Sequence, residues 1–251
     1  MMFVLLGKRI QSQPPGRDPF VPGGLRSNAR CIFPEMEADM SETPLMIQLP
    51  DVKLEALYAK GNGKEAALLC HPHPLYGGSM DNNVVQALQE TYEKSGFGTL
   101  RFNFRGVGRS EGVYGRGQSE ARDVLGMASY LREQGFEVLH GAAYSYGVWV
   151  LLIAAGLGLK VESLVLASPP VDFLPFDELQ LPAEPSLVTL GSSDQFCAVD
   201  SLQSWLDGAS APDLVHVEIL PVCDHFYWER EEALSEFVAS FLKDHVARTA
   251  T

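Results

Sequence analysis

The alternation of short apolar runs with segments of helical periodicity is the sequence feature that most constrains the fold of this chain. Between residues 65 and 220, apolar runs of strand length are separated by segments whose apolar residues recur every three or four positions. A strand, a helix and a second strand in succession form a parallel pair with a crossover, and several such units build one sheet with helices on both faces. The sequence therefore predicts a doubly wound α/β domain with a largely parallel sheet.

The individual elements follow from the same patterns. The predicted strands are residues 45–50, 52–59, 65–70, 98–104, 137–143, 163–168, 186–191 and 214–220. The first two form an antiparallel pair around Pro50 and Asp51. Helices are predicted after a cap at Asp81 and over residues 121–131, 145–158, 199–206 and 233–242.

Residues 1–40 have a different composition from the rest of the chain. They contain several prolines and glycines and show no sustained apolar periodicity. Such segments cannot bury enough apolar surface to offset the entropy of ordering. We predict a disordered N-terminal extension over residues 1–40 and a folded domain over residues 41–251. A start of the chain at Met36 or Met40 is a further hypothesis.

Net charge and apolar content limit the classes of binding partner that this chain could have. The net charge of -13, without any basic run, argues against a nucleic-acid partner. No apolar stretch reaches membrane-spanning length, and the N-terminal charges follow the apolar run where a signal peptide would place them before it. We therefore expect a cytoplasmic protein with a small-molecule partner. The widely spaced cysteines predict free thiols, with a Cys197–Cys223 disulfide as the alternative.

The pentapeptide AYSYG, residues 143–147, joins an apolar strand to an apolar helix. A tight strand-turn-helix connection presents a serine hydroxyl above the sheet edge, and small residues two positions before and after it let the strand and the helix approach. Gly147 meets that requirement, whereas Ala143 stands where glycine is usual. Ser145 is thus a candidate nucleophile, and the alternative is a serine that caps a buried helix.

A serine nucleophile needs a base, and the base needs an acid that orients it. His225 follows the last predicted strand, and Asp194 follows the strand before it. The carboxyl ends of parallel strands meet at one edge of the sheet, so we expect both side chains near Ser145. The order Ser145, Asp194, His225 is that of α/β-hydrolase triads. Asp172, after the preceding strand, is the alternative acid.

From about Met40 to Val246 the chain resembles the α/β-hydrolase superfamily, and it is most similar to a compact bacterial branch of serine hydrolases. The resemblance rests on HPHPLYGGSMDNNVV, RFNFRGVGRSEG, AYSYG, GSSDQF and DHFYW, which match that branch's HPHPxYGG, FRGxGxSxG, serine-elbow, GxxD and DHF motifs. It implies an α/β-hydrolase domain over residues 41–251 and acyl transfer by a Ser-Asp-His triad.

In such folds the segment HPHPLYGG, residues 71–78, follows the strand that leads into the oxyanion loop. One backbone N–H of this loop is expected to join the N–H of Tyr146 in holding the oxyanion. Proline has no N–H, so His73 is the predicted donor and Leu75 the alternative. A metal site at His71 and His73 is the rival interpretation. No third ligand lies nearby at zinc-like spacing, and we expect neither metal nor cofactor.

The glycine-containing segment RGVGRSEG, residues 105–112, follows a predicted strand, but its glycines do not have the spacing of a dinucleotide-binding loop. We interpret it as a loop at the catalytic edge whose Arg105 and Ser110 brace their neighbours. An ordinary turn is the alternative.

The segment between the strands at 163–168 and 186–191 is short and rich in proline, so no large cap domain is predicted. The candidate pocket residues are Tyr76, Phe173, Phe176, Phe226, Tyr227 and Trp228, with local packing as their alternative role. Taken together, these features predict a serine hydrolase that cleaves small esters, thioesters or amides through an acyl-enzyme. The alternative is a non-catalytic, ligand-binding member of the fold. The oligomeric state is left open.

Overall fold

The predicted alternation gives an eight-stranded sheet in the computed structural model, which describes residues 42–246. The strands are β1 (Thr43–Gln48), β2 (Lys53–Ala59), β3 (Glu65–Cys70), β4 (Gly98–Phe102), β5 (Val138–Tyr144), β6 (Leu164–Ala167), β7 (Ser186–Gly191) and β8 (Val215–Leu220). The helices are α1 (Asn83–Lys94), α2 (Gln118–Glu133), α3 (Tyr146–Gly156), α4 (Val199–Leu206) and α5 (Glu231–Phe241). The predicted disordered extension, residues 1–40, lies outside the described residues.

The order of strands across the sheet is β1-β2-β4-β3-β5-β6-β7-β8. Strand β2 pairs antiparallel with both of its neighbours, β1 and β4, and every other pairing is parallel. The predicted antiparallel pair at the start of the domain and the largely parallel sheet are both confirmed. The carboxyl ends of β3, β5, β6, β7 and β8 therefore lie at one edge, where their loops meet.

Helices cover both faces of the sheet, as predicted. The strands are buried on both sides, so successive residues feed two separate cores. In β3, Leu68 and Cys70 belong to the core that includes residues of α2, α3 and α4, whereas Ala67 and Leu69 belong to the core that includes residues of α1 and α5. Helix α3 is buried nearly all round, as its uniformly apolar sequence predicts.

The N-cap of α1 differs from the sequence prediction. The Asn82 side chain accepts a hydrogen bond from the Val84 N–H at 3.0 Å and so satisfies one of the free donors of the first turn. Asp81, the predicted cap, instead lies 3.2 Å from the guanidinium of Arg101 on β4. The prediction was wrong by one residue, because a buried arginine on a neighbouring strand draws the aspartate away from the helix.

The connection between β6 and β7 consists of turns and contains no helix over residues 168–185. No cap domain is inserted there, as predicted. Cys70, Cys197 and Cys223 are free thiols. The alternative of a disulfide is therefore wrong for this structure: the Cys197 and Cys223 sulfurs face the neighbouring carbonyls of Ala198 and Asp224. Over residues 42–246, the helices all fall short of the length and apolar content needed to cross a bilayer.

Candidate active site

Ser145 occupies the sharp turn between β5 and α3. Its backbone angles are φ 54° and ψ -122°, a region that non-glycine residues rarely adopt. Such a conformation costs on the order of 1–3 kcal/mol and persists only where its surroundings hold it. The Ser145 N–H donates to the Ala167 carbonyl at 2.9 Å, which ties the turn to the end of β6. The turn therefore has the geometry of a nucleophile elbow.

Gly147 lets this turn approach the sheet. A Cβ atom at this position would lie 2.4 Å from the Cys70 carbonyl oxygen at the end of β3, so any side chain would push the helix away. Ala143, where the sequence departs from glycine, is fully buried in the core beside α3. The methyl group of Ala143 is thus accommodated by the packing, whereas one at position 147 is not.

The structure brings the three predicted triad residues together. The Ser145 Oγ lies 2.8 Å from the His225 Nε2, and the His225 Nδ1 lies 2.8 Å from the Asp194 Oδ2. All three side chains are buried. With Asp194 accepting the proton of Nδ1, Nε2 is left to accept the serine proton. The array thus has the hydrogen-bond polarity that a general base needs.

The loops after β7 and β8 fix the acid and the base. The Asp194 Oδ1 accepts the Phe196 N–H at 2.8 Å, which orients the carboxylate within its own turn. The Tyr144 hydroxyl donates to the His225 carbonyl at 2.8 Å and anchors the histidine loop to the end of β5. The role of Tyr144 was missed in the sequence, although its position next to Ser145 is a signal that could have pointed to it.

Asp172, the alternative acid, has another partner. Its Oδ2 accepts the Ala198 N–H at 2.7 Å, at the start of α4. This contact ties the connection after β6 to the residue that precedes α4. The geometry therefore pairs His225 with Asp194 and leaves Asp172 bound to a backbone N–H.

His71, the first histidine of HPHPLYGG, is a buried structural residue. Its Nδ1 lies 2.6 Å from the Pro72 carbonyl, and its Nε2 accepts the Phe104 N–H at 2.9 Å. Burial lowers the pKa of His71 to about 3, so the ring is neutral. Both ring nitrogens are engaged within the protein, which leaves no lone pair free for a metal. The Phe104 contact also explains why β4 ends at Phe102, before the predicted boundary of 104.

His73, the second histidine, shapes the loop beside Ser145. Its Nδ1 accepts the Leu75 N–H at 3.1 Å, so the alternative oxyanion donor is already engaged. Its ring contacts that of Tyr146 in a tilted arrangement, with centroids 4.5 Å apart. Among residues 42–246, the backbone N–H groups of His73 and Tyr146 donate to no other group. The loop turns back at Gly78, where a Cβ would lie 2.2 Å from the Pro72 oxygen.

The segment 105–112, which follows β4, is tied by hydrogen bonds to α2 and β2. Arg105 donates to both carboxylate oxygens of Asp123 on α2, at 2.8 and 2.6 Å. The Ser110 hydroxyl donates to the Asn103 carbonyl and accepts the Glu55 N–H on β2. These contacts agree with the predicted bracing role of Arg105 and Ser110.

A cavity of about 500 Å³ opens directly over Ser145. Of the candidate pocket residues, Tyr76, Phe173 and Phe226 line it. Phe196 also lines it and was not among the predicted residues. Phe176, Tyr227 and Trp228 do not line it. Phe176 is buried against Trp205, and the Tyr227 hydroxyl is bound to Ser168 and Thr189 beneath the loop. Trp228 points to solvent.

Comparisons with known proteins agree with this arrangement. No family model matches the chain. An α/β serine hydrolase homologue from Coxiella burnetii is 30% identical, with a TM-score of 0.75 over 81% of this chain and 98% of that one. A serine hydrolase without a lid from Xanthomonas campestris is 27% identical, with a TM-score of 0.74 over 81% of this chain and 94% of that one. An uncharacterised protein of Rickettsia prowazekii (strain Madrid E) is 27% identical over 203 residues, which is 77% of this chain and 85% of that protein.

Proposed function

The chain belongs to the α/β serine hydrolase family, and from that membership we propose that it cleaves small esters, thioesters or amides by acyl transfer through Ser145. The observation that carries the proposal is the Ser145–His225–Asp194 array, with 2.8 Å at both contacts and an open cavity above the serine. A purely structural role for Ser145 does not explain why a strained turn, a paired imidazole and access to a cavity occur together.

The chemistry follows from these positions. As the Ser145 Oγ attacks the substrate carbonyl, His225 takes the hydroxyl proton on Nε2. The tetrahedral intermediate then collapses, and the leaving alcohol, thiol or amine departs with that proton. Water attacks the acyl-enzyme in the second half, again losing a proton to His225, and the acid product leaves as Ser145 is restored. Asp194 holds the imidazole in the required tautomer and stabilises its charged form.

The oxyanion of each tetrahedral intermediate needs donors that are in place before the reaction. We assign this role to the backbone N–H groups of His73 and Tyr146. Both residues border the cavity beside Ser145, and both N–H groups are free of other acceptors within the described part of the chain. The Tyr146 N–H also belongs to the first turn of α3, where the helix leaves its donors unpaired.

Covalent labelling tests the proposed function directly. A fluorophosphonate should modify the wild-type protein once, on Ser145, because phosphonylation uses the same activated oxygen and releases fluoride. Intact mass and peptide mapping measure the adduct, and Ser145→Ala is the matched control. Absence of any adduct on a folded wild-type protein would favour the non-catalytic binding function instead.

The donor role of His73 has its own test. The φ of His73 is -58°, which proline adopts without strain, so His73→Pro removes the N–H with little change in the backbone. We expect kcat to fall by about two to three orders of magnitude, the effect of losing one oxyanion donor. His73→Ala, which keeps the N–H, is the control and should retain most of the activity. Equal losses in both variants would assign the importance of His73 to its ring.

A further inference from the structure

Four aromatic rings form a continuous series around the mouth of the cavity. Tyr76 and Phe173 have ring centroids 6.3 Å apart, Phe173 and Phe196 5.4 Å, and Phe196 and Phe226 6.5 Å. We call these four residues the aromatic arc. Each lies in a different loop, after β3, β6, β7 and β8 respectively. Four separate segments thus place a ring at the same opening.

Three rings of the arc are exposed to solvent and Phe196 is half-buried, and no cap formed by residues 42–246 covers them. Tyr76 is 76% exposed, Phe173 49% and Phe226 42%. Large apolar side chains left open at the mouth of a cavity mark a place where a ligand is bound. An apolar group that covered these rings would remove their surface from water. An aromatic group would add edge-to-face contacts, which favour a flat ring beyond the gain from area alone.

Charge at the site points to an uncharged ligand. Among residues 42–246, those that line the cavity include no lysine, arginine, aspartate or glutamate. The carboxylate of the triad, Asp194, is buried and already paired with His225. A charged substituent on a bound substrate would therefore lose its hydration without gaining an ionic partner. The net charge of -13 adds a general repulsion against anions.

We infer that the substrates of this site are uncharged esters that carry an aromatic group next to the scissile bond, held by the aromatic arc. The inference rests on the proposed function, and it specifies the substrate class of the same site. A cavity of about 500 Å³ suits a small substrate of this kind. Tyr76 and Phe173 are exposed on the rim, and their ring contacts are with His73, Phe196 and each other, so they act as specificity residues without contacting the triad rings.

A matched pair of esters tests the inference. The ethyl esters of 3-phenylpropanoic and 3-cyclohexylpropanoic acid share a leaving group and a carbon skeleton, and differ in whether the ring is flat. We expect kcat/KM to favour the phenyl ester by about fivefold to tenfold. A 4-carboxylate on the phenyl ring should lower kcat/KM by about 100-fold. Phenethyl and 2-cyclohexylethyl acetate repeat the comparison on the alcohol side, and a phenyl preference in either series supports the inference.

Variants connect the preference to the arc. Phe173→Leu and Tyr76→Leu keep an apolar side chain but remove the ring, so each should bring the phenyl-to-cyclohexyl ratio close to one. Leu157→Ala is the matched control, because this residue is 52% exposed at the far end of α3 and should leave the ratio unchanged. Unchanged ratios in both arc variants would overturn the assignment of the arc, provided that near-UV circular dichroism shows native packing.

The outcomes separate the two proposals. Absence of both fluorophosphonate labelling and ester hydrolysis would refute the proposed function, and this inference with it. Labelling of Ser145 with equal rates for phenyl and cyclohexyl esters in both series would refute the inference alone. A higher rate for an ester that carries a trimethylammonium group on the phenyl ring would also refute it, because the arc would then act as a cation site.

Discussion

Ser145→Ala should lower kcat for ester hydrolysis by about four to six orders of magnitude, the range expected when the nucleophile of a triad is removed. The change deletes one oxygen atom and leaves the Ser145 backbone, its N–H contact to Ala167 and the glycine at position 147 in place. The loss should therefore be one of chemistry and not of folding. Steady-state and single-turnover hydrolysis of an activated ester give the rates.

The control for this prediction is the folded state of the variant. Because Oγ contributes little core volume, the melting temperature and the near-UV circular dichroism spectrum should stay close to those of the wild type. A folded variant that keeps more than about one hundredth of the activity would contradict the role of Ser145. The catalytic oxygen would then have to come from another residue or from water.

Asp194→Asn should lower kcat by about four orders of magnitude. The amide cannot accept the Nδ1 proton of His225 as the carboxylate does, and it does not stabilise the imidazolium that forms during the reaction. The 2.8 Å contact between Asp194 Oδ2 and His225 Nδ1 makes this loss direct. Values of kcat and kcat/KM for an activated ester measure it, and the two should fall together because the lost interaction is strongest in the transition state.

Asp172→Asn is the matched control, since it makes the same chemical change one strand away. Its carboxylate accepts the Ala198 N–H next to α4, and an amide oxygen can accept the same bond, so we expect a loss of less than about 1 kcal/mol in the free energy of unfolding and less than about a threefold change in kcat. Urea unfolding and kinetics separate the two effects. A larger kinetic loss in Asp172→Asn than in Asp194→Asn would make Asp172 the orienting acid.

The fold was predictable from the sequence because its signals are local. Short apolar runs and helical periodicity depend on which faces a segment buries, and each can be read within a window of a few residues. Their alternation then restricts the topology, because parallel strands need crossover connections. Ser145, Asp194 and His225 could be predicted together for the same reason. Each follows a strand of one parallel sheet, so the direction of the strands places all three at the same edge.

Other features were decided by contacts between segments that are distant in the sequence. Asn82 and not Asp81 caps α1 because Arg101, on another strand, attracts Asp81. Phe173 lines the cavity and Phe176 does not, although both lie in the same short connection. The ring of Phe176 packs in the core against Trp205 of α4. Local patterns show that such a loop is apolar, but they do not show which of its side chains turns inward.

The sequence by itself thus determined the α/β architecture, the antiparallel start of the sheet and three candidate catalytic residues in order. Only the tertiary structure decided the pairing of His225 with Asp194, the structural role of His71 and the composition of the aromatic arc. The physical reason is the distance along the chain over which each feature is determined. Burial patterns depend on the residues of a single segment. Hydrogen-bond partners and ring contacts depend on loop conformations that form only when distant segments pack against each other.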